Sequence, residues 1–284
     1  MRNIAWLAAP ATATVVALFA VPLALLLLDS VRAPGGAAGG GWTGANYLAF
    51  FGSSYAWAVV LRTLRLATLT TCCCLALAYP AAFALAATRG WLQSMLLAAL
   101  LLPLSLSVIV KAFGWTVLLR GDVAVNMLLQ GLGLTSAPVR LLFTETGLLI
   151  GIVNIFLPFM VLPIFASVRQ LDPRLPDAAA TLGGGPVYRF WRIILPLTMP
   201  GVVAGVTLVF SLSIAAYVIP TLLMGDAYQT LPTTIATAFL YLQDPGRGSV
   251  AGVVLLALSL VVVAASVVLG RRADGAIGGR AGAR

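Results

Sequence analysis

Histidine is absent from the 284 residues, and charge of either sign is scarce, with 9% of the chain Asp, Glu, Lys or Arg. Without histidine the commonest general base and metal ligand is gone. No catalytic residue, metal site or cofactor is therefore expected. The three cysteines are consecutive, Cys72 to Cys74, inside an apolar run. Helix neighbours cannot pair with one another in ordinary disulfide geometry, and metal-ligand spacing is missing. They read as packing residues.

What is abundant is hydrophobic surface. Residues of the hydrophobic class make up 61% of the chain, against roughly half apolar and a quarter charged in soluble domains. The chain belongs in a lipid bilayer. A net charge of +9 could suggest nucleic acid. The basic residues instead sit in short clusters between apolar runs, which reads as membrane topology and not as a nucleic-acid face.

Six apolar runs, at residues 4–28, 63–87, 94–119, 147–168, 201–221 and 248–270, are each long enough to cross a bilayer as a helix. The predicted fold is an all-α polytopic membrane protein with six transmembrane helices. It divides into residues 1–62 (first helix, linker and surface segment), a core over 63–270 and a basic tail over 271–284. Residues 33–41 read as a flexible Gly/Ala linker. Residues 42–60, with Trp42, Tyr47, Tyr55 and Trp57, read as a stretch along the membrane surface or a loop packed on its own subunit. A short amphipathic helix is expected near residues 127–134, and the tail is expected to be disordered.

Six spans put both termini on one side. With the termini inside, ten arginines fall inside, and Arg32, Arg62, Arg65, Arg120, Arg140 and Arg247 fall outside. That bias favours cytoplasmic termini. Spans four, five and six each begin with glycines four apart: Gly147/Gly151, Gly201/Gly205 and Gly248/Gly252. Such pairs let helix backbones approach closely, either within one subunit or between two.

The longest polar interruption lies between spans four and five, LDPRLPDAAATLGGGPVYRFWRIILPLTMP over residues 171–200. Asp172-Pro173 suits a helix start, with Pro176 able to reset it to residues 177–182. Ala178 to Ala180 favour helix and add almost no bulk. Gly183-Gly184-Gly185-Pro186 permits a sharp turn, and residues 187–195 can form a second short helix. The expected result is a knob of helix, glycine turn and helix.

Inside it, Asp177-Ala178-Ala179, three residues, Gly183, nine residues, then Ile193-x-Leu195-Pro196 resembles the EAA loop of bacterial ABC importer membrane subunits. The one departure from EAA-x3-G-x9-I-x-LP is Asp177 in place of Glu. Tyr79-Pro80-Ala81, Lys111 to Trp115, Leu157 to Pro163, Tyr217 to Pro220 and Leu222 to Gly225 are similar to the polyamine and iron branch of those permeases. The resemblance spans roughly residues 61–256. It implies a type I importer permease of the bacterial inner membrane, paired with a second, homologous or identical permease subunit. It further implies cytoplasmic ABC ATPases, an extracytoplasmic solute-binding protein, and an ATPase-coupling role for Asp177, Ala178, Ala179, Gly183, Ile193, Leu195 and Pro196 within a loop over residues 169–199. The chain has no G-x-x-x-x-G-K-[ST] run, so ATP chemistry lies on another polypeptide.

Lys111, the one lysine, is the ionisable residue placed well inside a span. A straight helix puts it about 17 residues in, roughly 25 Å from the inner edge. There it could snorkel outward, pair with Asp122, Glu145 or Asp226, or contact solute. Trp115, Asn154, Tyr217 and Pro220 complete the candidate translocation path, although Asn154 and Tyr217 equally suit interhelical hydrogen bonds. A polyamine, an iron complex or an organic cation is the expected solute class. No carboxylate lies inside a span to receive a polycation. The competing reading is a self-sufficient secondary transporter or channel, which would be expected to show an intramembrane coupling acid or a pore ring.

Overall fold

The computed structural model describes the backbone of residues 4–33, 41–120, 130–131, 133, 141–172 and 174–281. The linker and the short amphipathic helix expected near residue 130 lie almost wholly outside the described residues. Among the described residues the structure is helical, apart from one isolated antiparallel bridge between Arg32 and Trp42. Five helices are long and apolar enough to cross a membrane, or up to six if one sharply bent pair counts as a span. Contacts divide the chain into residues 1–61 with 229–258, and residues 62–228 with 259–284.

The first unit is built on α1 (Ile4–Ser30) and α2 (Ala45–Gly52). It also holds the start of α3 (Ser54–Ala87), α10 (Leu231–Leu240) and residues 245–258 of α11 (Pro245–Ala281). The end of α1 is fastened to α2 by the Asn46 amide, which donates to the carbonyls of Ser30 at 3.1 Å and Arg32 at 2.7 Å. The Ser30 and Tyr47 hydroxyls meet at 2.8 Å. Residues 42–60 are thus not a loop, since residues 45–52 form α2 and residues 54–60 the first turns of α3. The second span starts nine residues early, at Ser54, because Ser53 is extended and its N–H closes α2 on the Phe50 carbonyl. The basic tail continues α11 to Ala281 instead of disordering. Extending an existing helix avoids the nucleation cost that a free segment would meet.

The second unit is centred on α6 (Glu145–Arg169), whose Ile152, Met160 and Ile164 have no exposed surface. Thr144 caps its start, its hydroxyl accepting the Gly147 N–H at 3.1 Å. α8 (Pro186–Ile214) runs along α6. A Cβ on Gly201 would meet the Pro163 carbonyl and Ser167, and one on Gly205 would lie 2.8 Å from the Met160 sulfur. The other glycines also face neighbours in this chain: Gly147 faces the Leu141 carbonyl and Leu119, Gly151 faces Leu223 and Trp115, Gly248 faces the Phe239 ring, and Gly252 faces Leu26. All six serve close packing within the subunit.

Two expected spans are broken. The third is α4 (Trp91–Leu101), a 3-10 turn at Leu102–Ser105 and α5 (Val108–Leu118), bent by 102°. Pro103 removes a donor from the end of α4. Leu106 is extended, and Ser107 restarts the helix by accepting the Ile109 N–H at 3.3 Å. The fifth span runs from Pro186 to Ile214, not from residue 201 to 221. A break at residues 215–217 then leads into α9 (Val218–Met224).

Candidate functional site

The loop between α6 and α8 carries α7 (Arg174–Thr181). The Asp172 carboxylate accepts the Arg174 N–H at 2.9 Å, so the helix starts at the first of the two expected places. Asp177 lies in its first turn, exposed, where a negative charge suits the helix N-terminus. The end of α7 explains the glycines. Gly184 N–H reaches the Ala179 carbonyl at 2.8 Å and Gly183 N–H the Ala180 carbonyl at 3.0 Å, with Gly183 at φ +84°. This is a Schellman cap, and its left-handed residue is the glycine of the sequence pattern. A Cβ on Gly184 would lie 2.7 Å from the Ala179 carbonyl oxygen. Gly183 is needed for its dihedral angle and Gly184 for space.

The expected second helix is not separate. Pro186–Arg189 leads through a π-helical segment, Phe190–Ile194, directly into the rest of α8. The Leu195 N–H bonds five residues back, to the Phe190 carbonyl. Pro196 accounts for this, since it has no N–H and its ring crowds the carbonyl four residues earlier. π segments often mark functional sites. Ile193, Leu195 and Pro196 therefore form the stem that joins the knob to the span. Tyr79 of α3 braces that stem, with its hydroxyl 2.9 Å from the buried Thr198 hydroxyl and its ring edge-on to Phe190 at 5.6 Å. No local pattern in the sequence points from Tyr79 to this partner, which lies 119 residues away. The knob presents exposed apolar side chains: Leu175, Leu182, Val187, Tyr188 and Trp191.

Of the candidate path residues, the structure brings Trp115 and Asn154 together, the indole N–H donating to the Asn154 amide oxygen at 3.3 Å. α9 packs on α5 and α6 beside them. Pro220 is buried in α9. Tyr217 starts that helix and is 38% exposed, with its carbonyl accepting the Thr221 hydroxyl at 2.8 Å. Lys111 sits in the first turn of α5, beyond the bend, so a depth counted along a straight helix does not apply. Among the described residues it makes no ion pair. Asp122 lies outside them.

Glu145 is engaged elsewhere, in a cluster the sequence reading missed. Arg65 donates to one of its oxygens at 3.0 Å and the Tyr228 hydroxyl to the other at 3.0 Å. The Arg62 guanidinium lies 4.9 Å above the Tyr228 ring. Burial, then the Glu145 carboxylate, push the Tyr228 phenol up to about 12 against the opposing pull of Arg62 and Arg65. Arg62 and Arg65, one turn apart at the head of a span, and a lone Glu145 opening another, were the available signal.

Residues 75–275 match the family described as "Binding-protein-dependent transport system inner membrane component". The chain belongs to this family. As a member, it is a multi-pass inner-membrane permease component of an ABC importer, a transport subunit and not an enzyme, working with an ATPase and a binding protein. It is 34% identical over 218 residues to the spermidine/putrescine permease protein PotB of Haemophilus influenzae, covering 77% of this chain and 76% of that one. It is 33% identical over 222 residues to the molybdenum permease protein ModB of Mycobacterium bovis, covering 77% and 80%. A bacterial ABC transporter for alginate import shares the fold, with a TM-score of 0.77 over 95% of both chains at 16% identity.

Proposed function

We propose that this permease couples to its ATPase through α7 and the glycine turn, with Asp177, Ala178, Ala179 and Gly183 at the dock and Ile193, Leu195 and Pro196 as the stem. The observation that carries the reading is the Schellman cap at Gly183 followed by a stem continuous with a membrane span, since a knob so built moves with α8. In this reading the bent α4–α5 pair crosses the membrane as one broken span. Both termini and the knob are then cytoplasmic, as the arginine bias favours. A second permease subunit completes the path, to which Lys111, Trp115, Asn154, Tyr217 and Pro220 contribute. The divisions that fit this reading are residues 1–62 as the first transmembrane helix with an extracytoplasmic linker and α2, 63–270 as the permease core and 271–284 as a cytoplasmic tail.

The solute class favoured is a polyamine, supported by the similarity to PotB proteins. Lys111, a cation within a span, gives an oxyanion as the second reading, supported by the similarity to a molybdenum permease. The test is uptake into proteoliposomes holding the permease pair, ATPase and binding protein. ATP-dependent uptake of labelled spermidine that molybdate does not compete away supports the first reading. Uptake of molybdate alone selects the second, and uptake without ATP refutes the importer reading in favour of a secondary transporter.

A further inference from the structure

The first unit contains a cavity of about 370 Å3 at the ends of its membrane-length helices, between α2, the start of α3, α10 and the start of α11. A smaller cavity of about 270 Å3 shares Tyr55, Thr234 and Arg247 with it and opens toward Leu242. One wall is apolar, made by Phe50, Ala56 and Val59. The other carries Ser53, Tyr55, Thr234 and Arg247.

That polar wall has spare hydrogen-bonding capacity. The Thr234 hydroxyl is buried and has no hydrogen-bond partner. Neither the Ser53 nor the Tyr55 hydroxyl bonds within the described residues. The remaining polar neighbours are already committed. Asn46 gives its amide hydrogens to Ser30 and Arg32, and Asp244 accepts the Arg247 backbone N–H at 3.0 Å as the cap of α11. The Arg247 guanidinium rests 6.0 Å from the Tyr55 ring centroid and makes no ion pair among the described residues. The Asp244 carboxylate lines the same cavity but makes no ion pair with the Arg247 guanidinium. A cavity with an unpaired guanidinium, idle hydroxyls and an apolar wall suits a phosphate joined to a hydrocarbon body.

The surroundings say where that body comes from. Trp42, Leu48, Phe51, Trp57, Tyr241 and Leu242 of this unit are all exposed, from 46% to 79%. Exposed aromatic rings beside helix ends mark the headgroup level of a bilayer. Basic pockets between spans at that level bind lipid headgroups. We propose that this cavity holds the phosphodiester headgroup of a membrane phospholipid, with the phosphate on Arg247 and Thr234 and the first methylenes against Phe50, Ala56 and Val59. The assignment does not depend on which side of the membrane the unit faces.

The test is titration of the purified, delipidated protein in mild detergent with dihexanoyl-phosphatidylglycerol, followed by native mass spectrometry. Glycerol 3-phosphate, which has the phosphate without chains, is titrated in parallel. The expected result is one lipid per chain, at least about tenfold tighter than glycerol 3-phosphate, weakened roughly tenfold or more in Arg247→Gln. Thr234→Val, close in shape, weakens it by a smaller factor, and both variants keep the wild-type melting temperature. Equal binding of glycerol 3-phosphate overturns the lipid assignment in favour of a free-anion site. Unchanged lipid binding in both variants overturns the site. Loss of binding-protein capture in Arg247→Gln with lipid binding intact makes the cavity a protein-docking surface instead.

Discussion

Substitutions at Gly183 separate backbone conformation from bulk. Its φ of +84° lies in the left-handed region, yet a Cβ built there would meet nothing within 4 Å. Any cost of a small side chain is therefore conformational. Forcing a residue with a Cβ into that region costs about 1–2 kcal/mol. For alanine, about 0.4–1 kcal/mol of this is offset by a less disordered unfolded loop. The net, about 1 kcal/mol, lowers the capped fraction of a marginal loop roughly fivefold. The apparent Kd for the ATPase rises in proportion to the lost fraction. Asparagine tolerates left-handed geometry and valine resists it, so affinity is expected to fall in the order Gly, Asn, Ala, Val. The assay is titration of purified ATPase onto the permease in nanodiscs. Affinity that instead falls with side-chain volume, placing the larger Asn below Ala, refutes the conformational argument.

Other perturbations test the remaining joints. Pro196→Ala restores the missing N–H and is expected to relax the π segment at Phe190–Ile194 toward α-helix, leaving ATPase binding within about twofold while lowering transport per ATP hydrolysed. Tyr228 is expected to stay protonated beyond its ordinary value, visible as tyrosinate absorbance delayed toward about pH 12 and missing in Tyr228→Phe. Because its folded-state value is raised, its stabilising share is complete below about pH 10 and lost as pH rises through about 12. Glu145→Gln is expected to narrow that window. Gly201→Leu drives a side chain into the Pro163 carbonyl and Ser167, and overpacking of this kind costs about 1–3 kcal/mol. A lowered melting temperature in detergent checks it, and an unchanged one contradicts the packing of α8 on α6.

Much of the fold was legible because a bilayer simplifies the code: long apolar runs report helices, and the first, fourth and sixth spans lie within a few residues of where hydropathy puts them. What hydropathy cannot see is backbone geometry inside an apolar run. Pro103 and Ser107 fold the third span by 102° without interrupting its hydrophobicity. Residues 215–217 break the fifth with alanines and a tyrosine that read equally well as helix. The loop between α6 and α8 was readable because glycine and proline are themselves conformational statements, although Pro196 opened a π turn where a second short helix was expected. Contacts distant in sequence were the hardest. Tyr79 with Thr198, and Arg65 with Glu145 and Tyr228, depend on how α3 and α6 pack and leave no local pattern.

The central claim, that the α7 knob docks the ATPase, is tested most directly by cross-linking. Ala178→Cys is placed in a chain whose Cys72, Cys73 and Cys74 have been replaced by alanine, and a short bis-maleimide is added to membranes holding the assembled transporter. The account predicts one cross-linked product with the ATPase, protected from membrane-impermeant maleimide applied from the periplasmic side. Labelling from the periplasmic side, or an assembled and active transporter in which Ala178→Cys reaches no ATPase cysteine with linkers of any length, would contradict it.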